Sequence, residues 1–204
     1  MVYRTTPKMA KRKQAHRAKL LETAISLFGK HGYHSTTVPM IVRASGSSTG
    51  SFYFYFKNKE DVFAAALEDF GEKISTTIDS AIADAGEKVV RQMRAAIERF
   101  VTLLAENPDE ARILIVESSG LGAQLEAVRR GIVNSHSRSV SAAISALKGS
   151  AVTPAEADQL GHCWVGSVYE SVYHWLQQPA KRRQPTKELA RIVADFNLRG
   201  IAAL

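Results

Sequence analysis

Thr49, Gly50 and Ser51 stand together, and Phe52, Tyr53, Phe54, Tyr55 and Phe56 follow without a break. Small side chains let a backbone come close to a bulky partner, and the Thr49 and Ser51 hydroxyls can donate or accept. Tyr53 offers a hydroxyl to a phosphate, and the Thr49 methyl or the Phe54 ring can touch a thymine methyl. No Arg, Lys, Asn or Gln lies between Thr49 and Phe56. Bidentate base contacts are therefore limited there, and binding must lean on backbone phosphates and duplex shape unless Arg43 or the basic N-terminal arm reads bases. Other chemistry is poorly supported. Gly46 to Gly50 is Gly-rich but lacks the lysine of a phosphate-binding loop. Ser118 and Ser119 do not stand in G-x-S-x-G. His162 and Cys163 are adjacent, so on a helix they point about 100° apart and make a poor metal pair. The expectation is a non-enzyme with no metal and no cofactor, and with Cys163 a buried helix residue.

Two short helices would position the Thr49–Phe56 stretch. Thr37 can cap a helix through Ile41 to Ala44, with Pro39 in its first turn. Ser45-Gly46-Ser47 breaks that helix, and Ser48 can cap a second one. This is a helix-turn-helix pattern, whose second helix enters the major groove in DNA-binding versions. Phe52 and Phe56, four apart, can share a buried face. The aromatic alternation also fits a core strand, but the caps on both sides favour helix. Upstream, Leu20, Leu21, Ala24, Ile25, Leu27 and Phe28 repeat at helical spacing, predicting a helix from Lys11 to His31 stopped by Gly32. Residues 1–10 are expected to be disordered.

Charge follows this layout. Residues 1–60 hold eleven Lys/Arg against Glu22 and Glu60, a balance of +9, in a chain whose total is +7. The remaining 144 residues hold sixteen against eighteen, a balance of −2. A polyanion is the expected partner of the basic segment. The 204 residues suffice for one large or two small domains. There is one cysteine, no apolar run long enough to span a bilayer and no visible signal peptide, so a cytoplasmic protein without a membrane partner is expected. Beyond residue 60 the whole chain reads as helix. A long helix from Lys59 to about Ile82 leaves the basic module. Further helices follow over Val89–Glu106, Asp109–Ser118, Leu121–Leu147, Thr153–Gln178 and Lys187–Ala203.

The chain resembles the TetR family of bacterial transcriptional regulators. The residues that carry the resemblance are Leu27-Phe28, Gly32-Tyr33, Thr37, Ile41, Ser45-Gly46, Ser48-Thr49-Gly50, Phe52-Tyr53, Phe56 and Lys59-Glu60. There are departures at Pro39, at Val42 where the family favours alanine, and at Ser47 where it favours an apolar residue under the second helix. The resemblance implies an all-α fold of about nine helices. Residues 1–59 would form a basic arm and a three-helix DNA-binding domain, and 60–204 a larger helical domain for effector binding and dimerisation. It places Thr37, Ser48, Tyr53, Tyr55 and Lys59 at phosphates, and Thr49, Gly50, Ser51 and Phe54 nearest the bases. Lys8, Lys11, Arg12 and Lys13 would lie along phosphates or in the minor groove.

The resemblance further implies a homodimer built from the last two helices. Candidate contacts are Leu160, Val165, Val168, Val172, Leu189, Ile192, Val193 and Phe196, with Gly161 and Gly166 permitting close approach. It also implies a small-molecule pocket. Apolar candidates are Ile78, Met93, Ile97, Phe100, Ile113, Ile132 and Trp164; polar ones are Arg94, Glu117, His136 and Tyr173. Glu117 to Gly122 is similar to a segment of acyl-CoA-responsive members. The implied function is a repressor that binds a pseudo-palindromic double-stranded DNA operator and is released by a small apolar effector. The alternative is control by a protein partner or by thiol chemistry at Cys163.

Overall fold

The computed structural model describes residues 7–203, which form nine α-helices and no strand. Of residues 1–10, expected to be disordered, 1–6 lie outside the described residues, whereas 7–10 form the first turn of the first helix. Helix α1 spans Pro7–Ser35 and starts four residues earlier than its apolar pattern requires. Lys11, Arg12 and Lys13 therefore project from helical turns. Gly32 interrupts α1 with φ 78°, a value open to glycine.

Helix α2 is Val38–Ser45, capped by Thr37, whose side chain accepts from Met40 N. Gly46 ends it in the left-handed region at φ 65°. Helix α3 is Thr49–Tyr55, with Ser48 accepting from Ser51 N at 3.1 Å. The aromatic run is thus helical. Phe56 turns extended just past the helix, yet its ring stays buried, 5.8 Å from that of Phe52.

Helix α4, Lys59–Asp84, starts at the Asn58 cap with Glu60 and Asp61 in its first turn, where acids suit the positive end of the helix. Its apolar side belongs to two neighbourhoods. Phe63 meets Phe28 and Tyr33 edge-on, each at 5.0 Å, beneath the helix-turn-helix. Further on, Gly71 lies so close to a later helix that an added Cβ would sit 2.9 Å from Ile132. One continuous core runs through both neighbourhoods. Each fully buried Phe or Leu in it contributes roughly 1.5–3 kcal/mol.

Helices α5 (Val89–Glu106), α6 (Pro108–Arg112), α7 (Ala123–Lys148), α8 (Pro154–Gln177) and α9 (Thr186–Ala202) complete the chain. A π-helical turn, Ile113–Glu117, extends α6. Helix α5 lies among α4, α7 and α9, while α7 packs along α8. Thr153 and Glu156 form a capping box at the start of α8. The basic loop between α8 and α9 is anchored by Arg183, which donates to the Leu176 and Gln178 carbonyls and lies over the Trp175 ring.

The two halves are bound by more than α4. Helix α1 also packs on α6 and the π turn. Gly29 approaches Asp109 so closely that a Cβ would lie 2.6 Å from its side chain. The Tyr33 N–H donates to Glu117 at 3.1 Å, and Arg112 pairs with the same carboxylate.

Candidate nucleic-acid interface and ligand cavity

The outer surface of α3 carries Thr49, Gly50, Tyr53 and Phe54, all exposed, with Phe54 at 64%. A Cβ added at Gly50 would meet nothing within 4 Å, so the backbone there is open to a close partner. Ser48 and Thr37, the two caps, are exposed at neighbouring helix starts. Backbone N–H groups at such starts favour anions. Lys11, Arg12, Lys13 and Arg43 are exposed as well. Lys13 Nζ lies 5.1 Å from the Phe54 ring centroid, so the first turns of α1 stand beside α3.

Ser51 and Tyr55 are turned differently from their α3 neighbours. Both are half-buried against α1. The Ser51 hydroxyl lies 2.9 Å from His16 Nε2, the Ser47 hydroxyl 3.1 Å from the same atom, and the Tyr55 ring stacks on the imidazole. The departure at Ser47 thus has a partner. A polar atom under α3 needs a hydrogen bond, and His16, one turn before buried Leu20, supplies it. Sequence reasoning missed His16. The signal was available, because a serine at a position that packs under a helix demands a polar group from the facing element.

Lys59 is also held. Its Nζ donates to the Tyr33 carbonyl at 2.8 Å and to that of His34 at 3.5 Å, and lies 4.2 Å from the Tyr33 ring centroid. Partial burial lowers its pKa. Two of its three protons are engaged, leaving one N–H for a further acceptor.

A cavity of about 350 Å³ lies between α4, α5, α7 and α8. Of the residues expected at a pocket, Ile78, Met93, Ile97, Phe100, His136 and Trp164 line it. The other five do not. Arg94 pairs with Asp195 on α9 at 2.8 Å. Ile113 is core, and Ile132 packs against Gly71. Glu117 is occupied by Tyr33 and Arg112, and Tyr173 is exposed. The resemblance implies a pocket among these helices but does not say which gap each side chain meets. Val165, Val168 and Tyr169 are lining residues. Val165 and Val168 are therefore cavity residues and not the dimer contacts expected of them, and Tyr169 is a lining residue that sequence reasoning did not single out.

Three rings meet at the cavity. Phe100 lies 5.3 Å from Tyr169 and 6.0 Å from His136, and His136 Nδ1 is 3.1 Å from the Tyr169 hydroxyl. Burial pushes the His136 pKa down to about 4 and raises that of Tyr169, so both are neutral near pH 7. Among the described residues, His136 Nε2 is the buried side-chain polar atom without a hydrogen-bond partner.

The expected dimer residues divide sharply. Val165, Val168, Val172, Leu189 and Val193 are buried within the single chain, where α8 packs along α7 and α9 along α5. Leu160 is half-buried, while Ile192 and Phe196 are exposed at 43% and 69%. These three border an apolar depression between α8 and α9 that also includes Trp164, Gly200 and Cys163, which is exposed there on the outer side of α8 and not buried as expected. Gly161 serves α7, since an added Cβ would lie 2.5 Å from the Ser137 carbonyl, whereas Gly166 faces open space.

Among the described residues no group of His, Cys, Asp or Glu is arranged to hold a metal, and no helix is long and apolar enough to cross a membrane. The family model for bacterial regulatory proteins of the tetR family matches residues 20–66. The uncharacterized HTH-type transcriptional regulator YdgC of Bacillus subtilis is 32% identical over 100 residues, 48% of this chain and 51% of that protein. The chain thus spans about half the length of the curated relatives it matches. Solved structures extend the likeness of fold along the molecule. The fatty acid degradation regulator FadR of Bacillus halodurans superposes with a TM-score of 0.80 at 19% identity, covering 91% of this chain and 95% of its own. FadR of Bacillus subtilis, in complex with stearoyl-CoA, gives 0.76 at 20% identity, covering 90% and 98%.

Proposed function

The chain belongs to the TetR family of bacterial regulatory proteins, and on that premise we propose that it is a transcriptional repressor that binds a pseudo-palindromic operator as a homodimer. The carrying observation is the α3 surface. Exposed Thr49, Gly50, Tyr53 and Phe54 are ringed by two capped helix starts and by Lys11, Arg12, Lys13 and Arg43. Phosphate contacts dominate, and Thr49 and Phe54 are the groups that reach bases. Lys59 is pre-set by the Tyr33 carbonyl to add one phosphate contact. The dimer is formed by α8 and α9, with Phe196 of each protomer against the depression of the other, and places the two α3 helices about one DNA turn, ~34 Å, apart.

The effector is a small, largely apolar molecule in the cavity between α4, α5, α7 and α8. The bound stearoyl-CoA of Bacillus subtilis FadR, a protein of the same fold, supports a ligand-accepting role for this helical half. Ligand favours another setting of α4, which roots the DNA-binding helices, and so shifts the population of DNA-competent dimers. A tenfold weakening of DNA binding requires ~1.4 kcal/mol of coupling.

The test is fluorescence anisotropy with DNA from the region upstream of the protein's own gene, as a function of salt. Binding is expected at low salt, with log K falling linearly against log salt. Lys59→Ala should reduce that slope by about one. Absence of binding at low salt overturns the reading, and an unchanged slope removes Lys59 from the interface.

A further inference from the structure

The ligand cavity holds an unmet hydrogen bond whose direction can be worked out. The Tyr169 phenol keeps its proton, because burial opposes ionisation. Its hydrogen-bond partner is His136 Nδ1, at 3.1 Å. A buried phenol O–H needs an acceptor, and a neutral imidazole offers one nitrogen as acceptor and the other as donor. With Nδ1 receiving the phenol proton, the ring proton sits on Nε2. That is the atom with no partner and no contact with water. A donor therefore lies just behind the cavity surface, covered by protein atoms, held in one tautomer by Tyr169 and flanked by the Phe100 ring packed on both groups, and a ligand meets it only as the lining gives way.

The remaining lining restricts the charge of what could answer that donor. No Lys or Arg lines the cavity. Its carboxylate, Asp79, is exposed at the mouth together with Ser135 and Ser139. A ligand carboxylate would find no cation inside and a like charge at the entrance. A neutral acceptor, such as a ketone, ester, amide or thioester carbonyl, satisfies Nε2–H without that penalty. Met93, the pliable member of the lining, can move as the ligand reaches the ring.

We infer that the effector of this cavity carries an uncharged carbonyl-type acceptor on an apolar body, and that His136 recognises it through Nε2–H in a tautomer set by Tyr169. This rests on the reading of the cavity as an effector site and names the ligand chemistry within it.

The test uses benzophenone, shape-similar diphenylmethane without the carbonyl, and anionic 4-benzoylbenzoate, each titrated calorimetrically into the full-length protein. Benzophenone is expected to bind at least about fivefold tighter than diphenylmethane, the size of effect one buried hydrogen bond gives, and 4-benzoylbenzoate more weakly than benzophenone. His136→Phe should abolish the preference for benzophenone, and Met93→Trp, which fills the cavity, should abolish binding of both neutral probes. Nitrogen-15 NMR of the free wild-type protein should show the Nε2–H tautomer at His136, with that restriction relaxed in Tyr169→Phe. The NMR measurement stands even where His136→Phe does not fold. Equal affinities for the two neutral probes, or an Nδ1–H tautomer, overturn the inference and leave the cavity reading intact. Failure of both neutral probes to bind, or binding that survives Met93→Trp, overturns the cavity reading and the inference with it.

Discussion

His16 and His136 illustrate what a histidine does in two settings of one molecule. His16 is half-buried at the seam of α1 and α3, where Ser47 and Ser51 share its Nε2. The seam fixes the rotation of α3 and so decides that Tyr53 and Phe54, not Ser51 and Tyr55, face outward. His136 is also half-buried as a residue, but its ring is set against Phe100 and Tyr169, and burial there disfavours the charged form. The unfolded chain therefore takes up a proton near the ordinary pKa of 6.5, while the folded protein resists to about pH 4. The contribution of His136 is full above pH 6.5 and is lost as pH falls toward 4. Between pH 7.5 and pH 5 the urea unfolding free energy of the wild type should fall by about 2 kcal/mol more than that of His136→Phe. Equal pH responses in the two proteins would mean that His136 is not enclosed as described.

At the scale of elements, the glycines separate helix contacts from open surface. Gly161 lets α8 approach α7 until a Cβ would lie 2.5 Å from the Ser137 carbonyl, a backbone atom that cannot swing aside. Gly166, five residues along α8, faces open space. Gly161→Ala should destabilise by about 1–3 kcal/mol through overpacking. Gly166→Ala should stabilise by up to about 1 kcal/mol through helix propensity. Urea unfolding of the two variants measures both, and a shared sign would contradict the α7–α8 crossing. The same crossing positions His136 on α7 against Tyr169 on α8, so the Gly161 variant should also disturb the cavity. On the other side of the molecule, Glu117 ties the π turn to Tyr33 N. The head is thus attached to the helical body through α4, through the packing of α1 on α6 and through this carboxylate.

At the scale of the whole molecule, Phe196 is the large hydrophobic side chain that the single chain leaves most exposed among those described, at 69%. Phe196→Arg should yield a monomer in sedimentation velocity and weaken binding to a two-half-site operator about a hundredfold or more, through loss of the tethered second contact. The unfolding free energy of the separate chain should change by less than about 0.5 kcal/mol, since little of the ring is buried in it. A dimer that persists would move the interface elsewhere. The sequence by itself determined the all-helical class, the helix-turn-helix with its caps at Thr37 and Ser48, and the basic character of the first sixty residues. These depend on local spacing, on capping side chains a few residues from the N–H groups they satisfy, and on charge, all of which are written along the chain. Only the tertiary structure decided that Val165 and Val168 line a cavity, that Arg94 belongs to Asp195 and Glu117 to Tyr33, and that His16 seats α3. Helical periodicity says that a residue faces inward, but which helix it faces depends on how distant segments cross.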